Sequence, residues 1–165
     1  MATLPFTWTG EAMVPARGFA KRCDTEFVVG VVYHLEAMEE RSAASHRHYF
    51  ASVNEVWQNL PEAMVEQFPT SEHLRKWCLI RAGFHQSRDI VVSSKAEAQR
   101  LAAFIKPMDT YAVVVARAAV VTVYTAESQS QKAMGKERFQ KSKDAVLSLL
   151  AAMIGTDPVE IGRAA

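Results

Sequence analysis

The stretch YAVVVARAAVVTVYT, residues 111–125, is the most strand-like part of this chain and decides the class of fold that it adopts. Valine, threonine and tyrosine favour the pleated, half-buried surface of a sheet, and they fill both ends of the stretch. Arg117, Ala118 and Ala119 interrupt it in the middle, which indicates either a hairpin or one long bent strand. The hairpin is the preferred prediction.

Helical segments lie on both sides of this stretch, because apolar residues recur there every three or four positions between start and stop signals. Ser94 and Glu97 form a capping box ahead of one helix, and Gly83 and Gly155 each suit the left-handed end of another. The predicted helices are 16–23, 45–60, 61–68, 71–82, 94–105 and 136–154. The remaining predicted strands are 6–9, 27–40 and 89–92.

The order of these segments predicts an α+β fold, because strands and helices are mixed without the regular alternation of a parallel α/β sheet. We expect a small mixed or antiparallel sheet packed with about four to five helices in one domain, residues 1–165, with its core at about 26–155. The seven glycines are never clustered, so no dinucleotide- or phosphate-binding loop is indicated. Since no nucleophile elbow is present either, we expect a protein that binds rather than catalyses.

The composition, 49% hydrophobic and 22% charged in 165 residues, is typical of a soluble globular protein. No basic residue precedes an apolar run near the N-terminus, and the longest apolar stretch is too short to span a bilayer. We therefore expect a cytoplasmic protein with no membrane partner. Cys23 and Cys78 are far apart, which argues against a disulfide framework. Lys and Arg number 19 against 18 Asp and Glu, so any affinity for nucleic acid must come from local charge.

The densest cluster of cationic and aromatic residues is RSAASHRHYF, residues 41–50, at the predicted junction of a strand and a helix. Helix N-terminal amides at this point would add to an anion-binding site, and Tyr49 or Phe50 is a candidate for stacking on a base. The candidate phosphate contacts are Arg41, His46, Arg47 and His48, the histidines when protonated.

Two other interpretations of this cluster stay open. In one, the aromatic residues are core anchors and the arginines pair with Glu39, Glu40 or Glu55 on the surface. In the other, His46 and His48 bind a metal. Metal binding requires that the two histidines lie in an extended segment, because side chains two residues apart share a side of an extended segment but not of a helix.

A second basic patch is QKAMGKERFQKSK, residues 131–143, at the start of the last predicted helix. Five cations and one carboxylate, Glu137, give it a net charge of +4. Such a patch suits a phosphate backbone, although a solvated helix face has the same composition. Its cations are Lys132, Lys136, Arg138, Lys141 and Lys143, of which the first four are candidate DNA contacts.

Residues 41–56, RSAASHRHYFASVNEV, resemble the NinB/Orf family of lambdoid phages, which carry a similar Arg-Ser, Arg and aromatic-Ala pattern at the opening of a helix. They are also similar to a related phage domain of uncharacterised function, in which a helix resembling SEHLRKWCLIRAGF, residues 71–84, follows. This second resemblance covers most of residues 28–154. The matching positions are Arg41, Ser42, Arg47, Phe50, Ala51 and Val56.

The resemblance implies a phage or prophage recombination accessory protein that binds single-stranded DNA and has no cofactor. It also implies contacts with recombination or single-strand-binding proteins of host or phage, and a tendency to form homodimers. The implied DNA contacts are Arg41, Arg47 and His48. The acidic preceding segment and the near-neutral charge of this chain depart from the family pattern.

Two functions from other classes are alternatives to DNA binding. A phage protein-interaction module that inhibits or redirects a host machine would present an exposed apolar patch, with Trp57 or Trp77 as candidate members. A metal-dependent nuclease would use His46 and His48 as ligands. The first alternative predicts no salt-dependent affinity for DNA, and the second predicts bound metal.

Overall fold

A computed structural model describes residues 4–35, 43–130, 132–158 and 160–161 of the chain. The described residues form six helices and two small antiparallel sheets, so the predicted α+β class is confirmed. The chain divides into two compact units, residues 1–37 and 38–165. The single domain over 1–165 stays a prediction. No helix in the described ranges is long and apolar enough to cross a membrane.

The first unit holds a short hairpin followed by a helix. Strand β1, Phe6–Trp8, pairs antiparallel with β2, Met13–Pro15, and α1 spans Ala20–Glu26. The predicted strand at 6–9 is confirmed. The predicted helix at 16–23 begins four residues late, because Pro15 ends a strand opposite Phe6 instead of opening a helical turn. A proline is tolerated there because an edge strand need not donate a hydrogen bond at every residue.

The strand predicted over residues 27–40 is wrong for its described part, residues 27–35, which are irregular; residues 36–40 lie outside the described ranges. The backbone turns at Gly30, with φ +85°, and the Val31 amide donates to the Val28 carbonyl at 3.3 Å. The Val28 amide in turn donates to the Tyr33 hydroxyl at 2.9 Å. Valine-rich sequence favours a strand only where a partner strand exists, and this segment satisfies its backbone locally.

The second unit is built around four helices whose apolar faces meet in one core. Phe68, Leu74 and Met134 are among its buried residues, with Tyr49, Val53 and Val56 from the second helix. The Thr70 hydroxyl caps one helix by accepting from the His73 amide, and Gly83 and Gly155 adopt positive φ just beyond two helix ends. The helices are α2 (Ala43–Gln58), α3 (Glu62–Val65), α4 (Ser71–Arg81) and α6 (Lys136–Ile154), in agreement with the sequence.

A three-stranded antiparallel sheet, ordered β3-β5-β4, and helix α5 complete the second unit. The predicted hairpin is confirmed, since β4 and β5 pair through a tight turn in which Ala118 has φ +49°. Helix α5 covers one face of the sheet, where Ala98 and Ala102 pack against Val114 and Val121. The elements are β3 (His85–Val91), α5 (Lys95–Ile105), β4 (Val113–Arg117) and β5 (Val120–Ala126).

Candidate nucleic-acid interface

The first turns of α2 carry the described part of the first predicted cluster. His46, Arg47 and His48 are exposed, whereas Arg41 lies outside the described residues. The helix separates His46 from His48 by about 200° around its axis, at about 100° per residue, so the two imidazoles point to different sides. Within the described ranges, no group of three or more His, Cys, Asp or Glu residues is placed to hold a metal ion.

The structure brings the start of α2 against the first half of α6. The Lys143 ammonium donates to the Ser45 hydroxyl at 2.9 Å, and the His46 ring stacks on the Phe139 ring with centroids 5.8 Å apart. Lys136 lies seven residues before Lys143, about two full turns, and therefore on the same side of α6. The side of α6 that carries Lys136 and Lys143 thus meets the start of α2.

The other cations of the second cluster occupy different sides of α6. Arg138 forms a two-pronged ion pair with Glu127, at 2.8 and 2.5 Å, and its guanidinium lies over the Phe84 ring. Lys141 pairs with Glu137 at 2.7 Å within the exposed face of the helix. Lys132 is exposed just before the helix. As DNA contacts, these three remain predictions, and only Lys136 shares a side of α6 with Lys143.

Tyr49 and Phe50, adjacent in sequence, have opposite environments. Tyr49 is fully buried, so it is the core anchor of the alternative interpretation and presents no face to a base. Phe50 is exposed, and its ring lies 4.7 Å from the His46 ring and 5.2 Å from the Arg75 guanidinium. An exposed aromatic ring that is held by an arginine guanidinium is a stacking surface for a nucleobase.

Arg75 beneath Phe50 is almost fully buried, and a polar network neutralises and orients it. Glu72 accepts two hydrogen bonds from its guanidinium, at 2.8 and 2.6 Å, and the Gln129 side-chain carbonyl accepts a third. The same carbonyl accepts from the Tyr49 hydroxyl at 3.2 Å, and the Gln129 amide donates to Ser142 at 2.7 Å. These contacts join α2, α4 and α6 with the loop that precedes α6.

Burial and hydrogen bonding fix the protonation states of the residues in this network. Burial raises the pKa of Tyr49 to about 12, so its hydroxyl stays protonated as a donor. Burial alone would raise the pKa of Glu72, but the hydrogen bonds and charge of Arg75 hold it below its ordinary value. Phe50 therefore rests on a permanently charged guanidinium in a fixed position.

Three members of this site were not predicted as site residues: Lys143, Arg75 and Gln129. Lys143 is visible in the sequence as part of the second basic patch, so its charge was a usable signal. Nothing in the sequence marks Gln129, because its importance depends on partners 54 and 80 residues away along the chain. Trp57 and Trp77, candidates for an exposed patch, instead pack against the core.

Comparisons of the chain with protein families, with curated proteins and with solved structures found no match.

Proposed function

We propose that this protein binds single-stranded DNA through a surface formed by His46, Arg47, Lys136 and Lys143, here called the α2–α6 surface. The observation that carries the proposal is the Lys143–Ser45 hydrogen bond at 2.9 Å, which joins two basic clusters that are far apart in sequence. A role as a recombination accessory of a phage or prophage is part of the proposal and is supported by the resemblance of residues 41–56 alone.

The charges on this surface favour a phosphate backbone. Arg47 is exposed and forms no ion pair with any carboxylate that the structure describes. The N-terminal turn of α2 adds the partial positive charge of its backbone amides beside these side chains. With a whole-chain charge of only +1, the attraction is local, so affinity is expected to be modest and to fall as salt is added.

Phe50 is the reason for preferring a single strand to a duplex. Its ring is exposed beside the His46 ring, where a base of a bound strand would arrive. Bases in a duplex are already stacked and paired, whereas an unpaired base can leave its neighbours and stack on an aromatic ring. Phosphate contacts alone would accept either form of DNA, so the preference depends on this ring.

The test is fluorescence anisotropy of a labelled single strand of about 30 nucleotides and of the matching duplex, at low and at moderate salt. We expect tighter, salt-sensitive binding of the single strand. Arg47→Ala should weaken binding to all sequences alike, because phosphate contacts carry no base information. Arg100→Ala is the matched control, since Arg100 is an exposed arginine on α5 outside the proposed surface. Absence of binding by the wild-type protein at low salt would contradict the proposal.

A protein-interaction module is a second candidate, favoured by a different part of the second unit. Phe104 and Met108, at the end of α5 and just after it, are 67% and 71% exposed. Exposed apolar side chains that lie close together are typical of a docking surface for a protein partner. Phe104→Ser should abolish partner capture and leave DNA binding unchanged if this candidate is correct. Salt-sensitive DNA binding lost with Arg47→Ala would favour the first candidate instead.

A further inference from the structure

Helix α4 carries one carboxylate between two cations, of which Arg75 is buried. Glu72 Oε1 lies 2.6 Å from Arg75 Nη2 and 3.7 Å from Lys76 Nζ. At about 100° per residue, Arg75 and Lys76 lie on opposite flanks of Glu72 around the helix. The shared carboxylate therefore positions both cations, one toward each side of α4.

Each of these cations lies against an aromatic ring that is 36% exposed. The Arg75 guanidinium is 5.2 Å from the centre of the Phe50 ring, and the Lys76 ammonium is 3.8 Å from the centre of the Tyr111 ring. Attraction between a cation and the face of a ring holds both parts of such a pair in place. Phe50 and Tyr111 thus have the same kind of support on the two flanks of one helix.

A histidine ring lies beside each of these two aromatic rings. The His46 ring lies 4.7 Å from Phe50, and the His73 ring lies 4.5 Å from Tyr111. His73 is itself held by contacts with Thr70, 2.8 Å, and Thr110, 3.3 Å. We call His46, Phe50 and Arg75 the Phe50 group, and His73, Lys76 and Tyr111 the Tyr111 group.

A core role does not account for Tyr111. The residue follows α5 and precedes β4, and its ring belongs to neither of the two buried clusters of the second unit. The Lys76 side chain beside it is 30% exposed, so its charge reaches solvent. An exposed ring next to an accessible ammonium meets the two needs of a nucleotide, a stacking surface and a counter-charge for its phosphate.

From this repeated arrangement we infer that the Tyr111 group is a second base-stacking site, so that a single strand bound at the α2–α6 surface continues across α4 from Phe50 to Tyr111. The inference rests on the proposed function. The negative charge of Glu72 between the groups repels phosphates, which favours a path with phosphates near Arg47 and Lys76 and bases on the two rings.

The first experiment compares Tyr111→Ala with wild type on labelled oligothymidine strands of about 4 and about 30 nucleotides. We expect Tyr111→Ala to weaken binding of the long strand by about tenfold or more, the typical effect of losing one base stack. Binding of the short strand, which is too short for both groups, should change less than it does in Phe50→Ala. Tyr111→Phe should bind as wild type, and Tyr33→Ala is a control for loss of an exposed tyrosine elsewhere.

A second experiment measures fluorescence in a variant that keeps an aromatic side chain at position 111. Tyr111→Trp keeps an aromatic ring, and stacking of a base on it should quench its fluorescence beyond any quenching seen in the wild-type protein. Unchanged affinity of Tyr111→Ala for the long strand together with no added quenching in Tyr111→Trp would overturn the second site. If Arg47→Ala still weakens binding in that case, the proposed function stands. If wild type binds no strand at all, both proposals fail.

Discussion

Lys143 and Ser45 lie 98 positions apart in the chain, and the hydrogen bond between them, 2.9 Å long, joins α6 to the first turn of α2. Lys143 is half-buried, and the hydrogen bond to Ser45 restrains its ammonium. The contact puts a fixed positive charge beside the first turn of α2. It is the structural basis for treating the two basic clusters as one surface.

Replacement of Lys143 by glutamine should reduce the salt dependence of DNA binding. Glutamine retains a hydrogen-bond donor for Ser45 but removes the charge, so one phosphate contact is lost while the helix pair stays together. The slope of log K against log salt should become shallower by roughly 0.7 to 1. Anisotropy titrations at four salt concentrations measure this slope, with Lys95→Gln on α5 as the matched control. Equal slopes for the two variants would remove Lys143 from the surface.

Replacement of Gln129 by alanine should destabilise the second unit. The change leaves Tyr49, Arg75 and Ser142 without a hydrogen-bond partner that each has in the buried network. Leaving buried polar groups unsatisfied, one of them charged, costs about 2–4 kcal/mol of unfolding free energy. Urea denaturation followed by circular dichroism measures this loss of unfolding free energy. Gln99→Ala, at an exposed position of α5, should change stability by less than about 0.5 kcal/mol.

The Glu72–Arg75 pair predicts a loss of stability at acid pH. The pKa of Glu72 is lower in the folded protein than in the unfolded chain, so the unfolded state binds its proton first as pH falls. The stabilisation is present above the unfolded pKa, about 4.3, and is lost as pH drops through the folded value. Urea denaturation between pH 3 and 6 should therefore show a weaker pH dependence in Glu72→Gln than in wild type. Parallel curves would contradict this assignment.

Replacement of Ala118 by glycine should stabilise the hairpin. Ala118 has φ +49°, a left-handed conformation that costs roughly 1 kcal/mol for a residue with a Cβ and that glycine adopts freely. We expect an increase of about 0.5–1 kcal/mol in unfolding free energy. Ala103→Gly, at an exposed position within α5, should do the opposite, because glycine weakens a helix by about 1 kcal/mol relative to alanine. Thermal unfolding of both variants tests whether the first is more stable and the second less stable than wild type.

The sequence by itself determined the elements whose signals are local. The Ser94 cap and the glycine ends at 83 and 155 all appear where the sequence predicts them. The hairpin at 111–125 also follows from sequence, because its two strands are neighbours that need only a short turn to pair. In each case the deciding contacts join residues close together in the chain, so their energetics are visible in a short window.

Tertiary structure alone decided which residues share the candidate site. The predicted cluster cations were found by composition, but the contact of Lys143 with Ser45 and the burial of Arg75 against Gln129 depend on how helices pack. The valine-rich segment 27–35 illustrates the same limit, because none of the strands that the structure describes pairs with it to satisfy its β-propensity. Local propensity determines which secondary structure a segment can form. Which surfaces then pack together depends on the free energy of long-range contacts. A short window of sequence does not contain the residues that make those contacts.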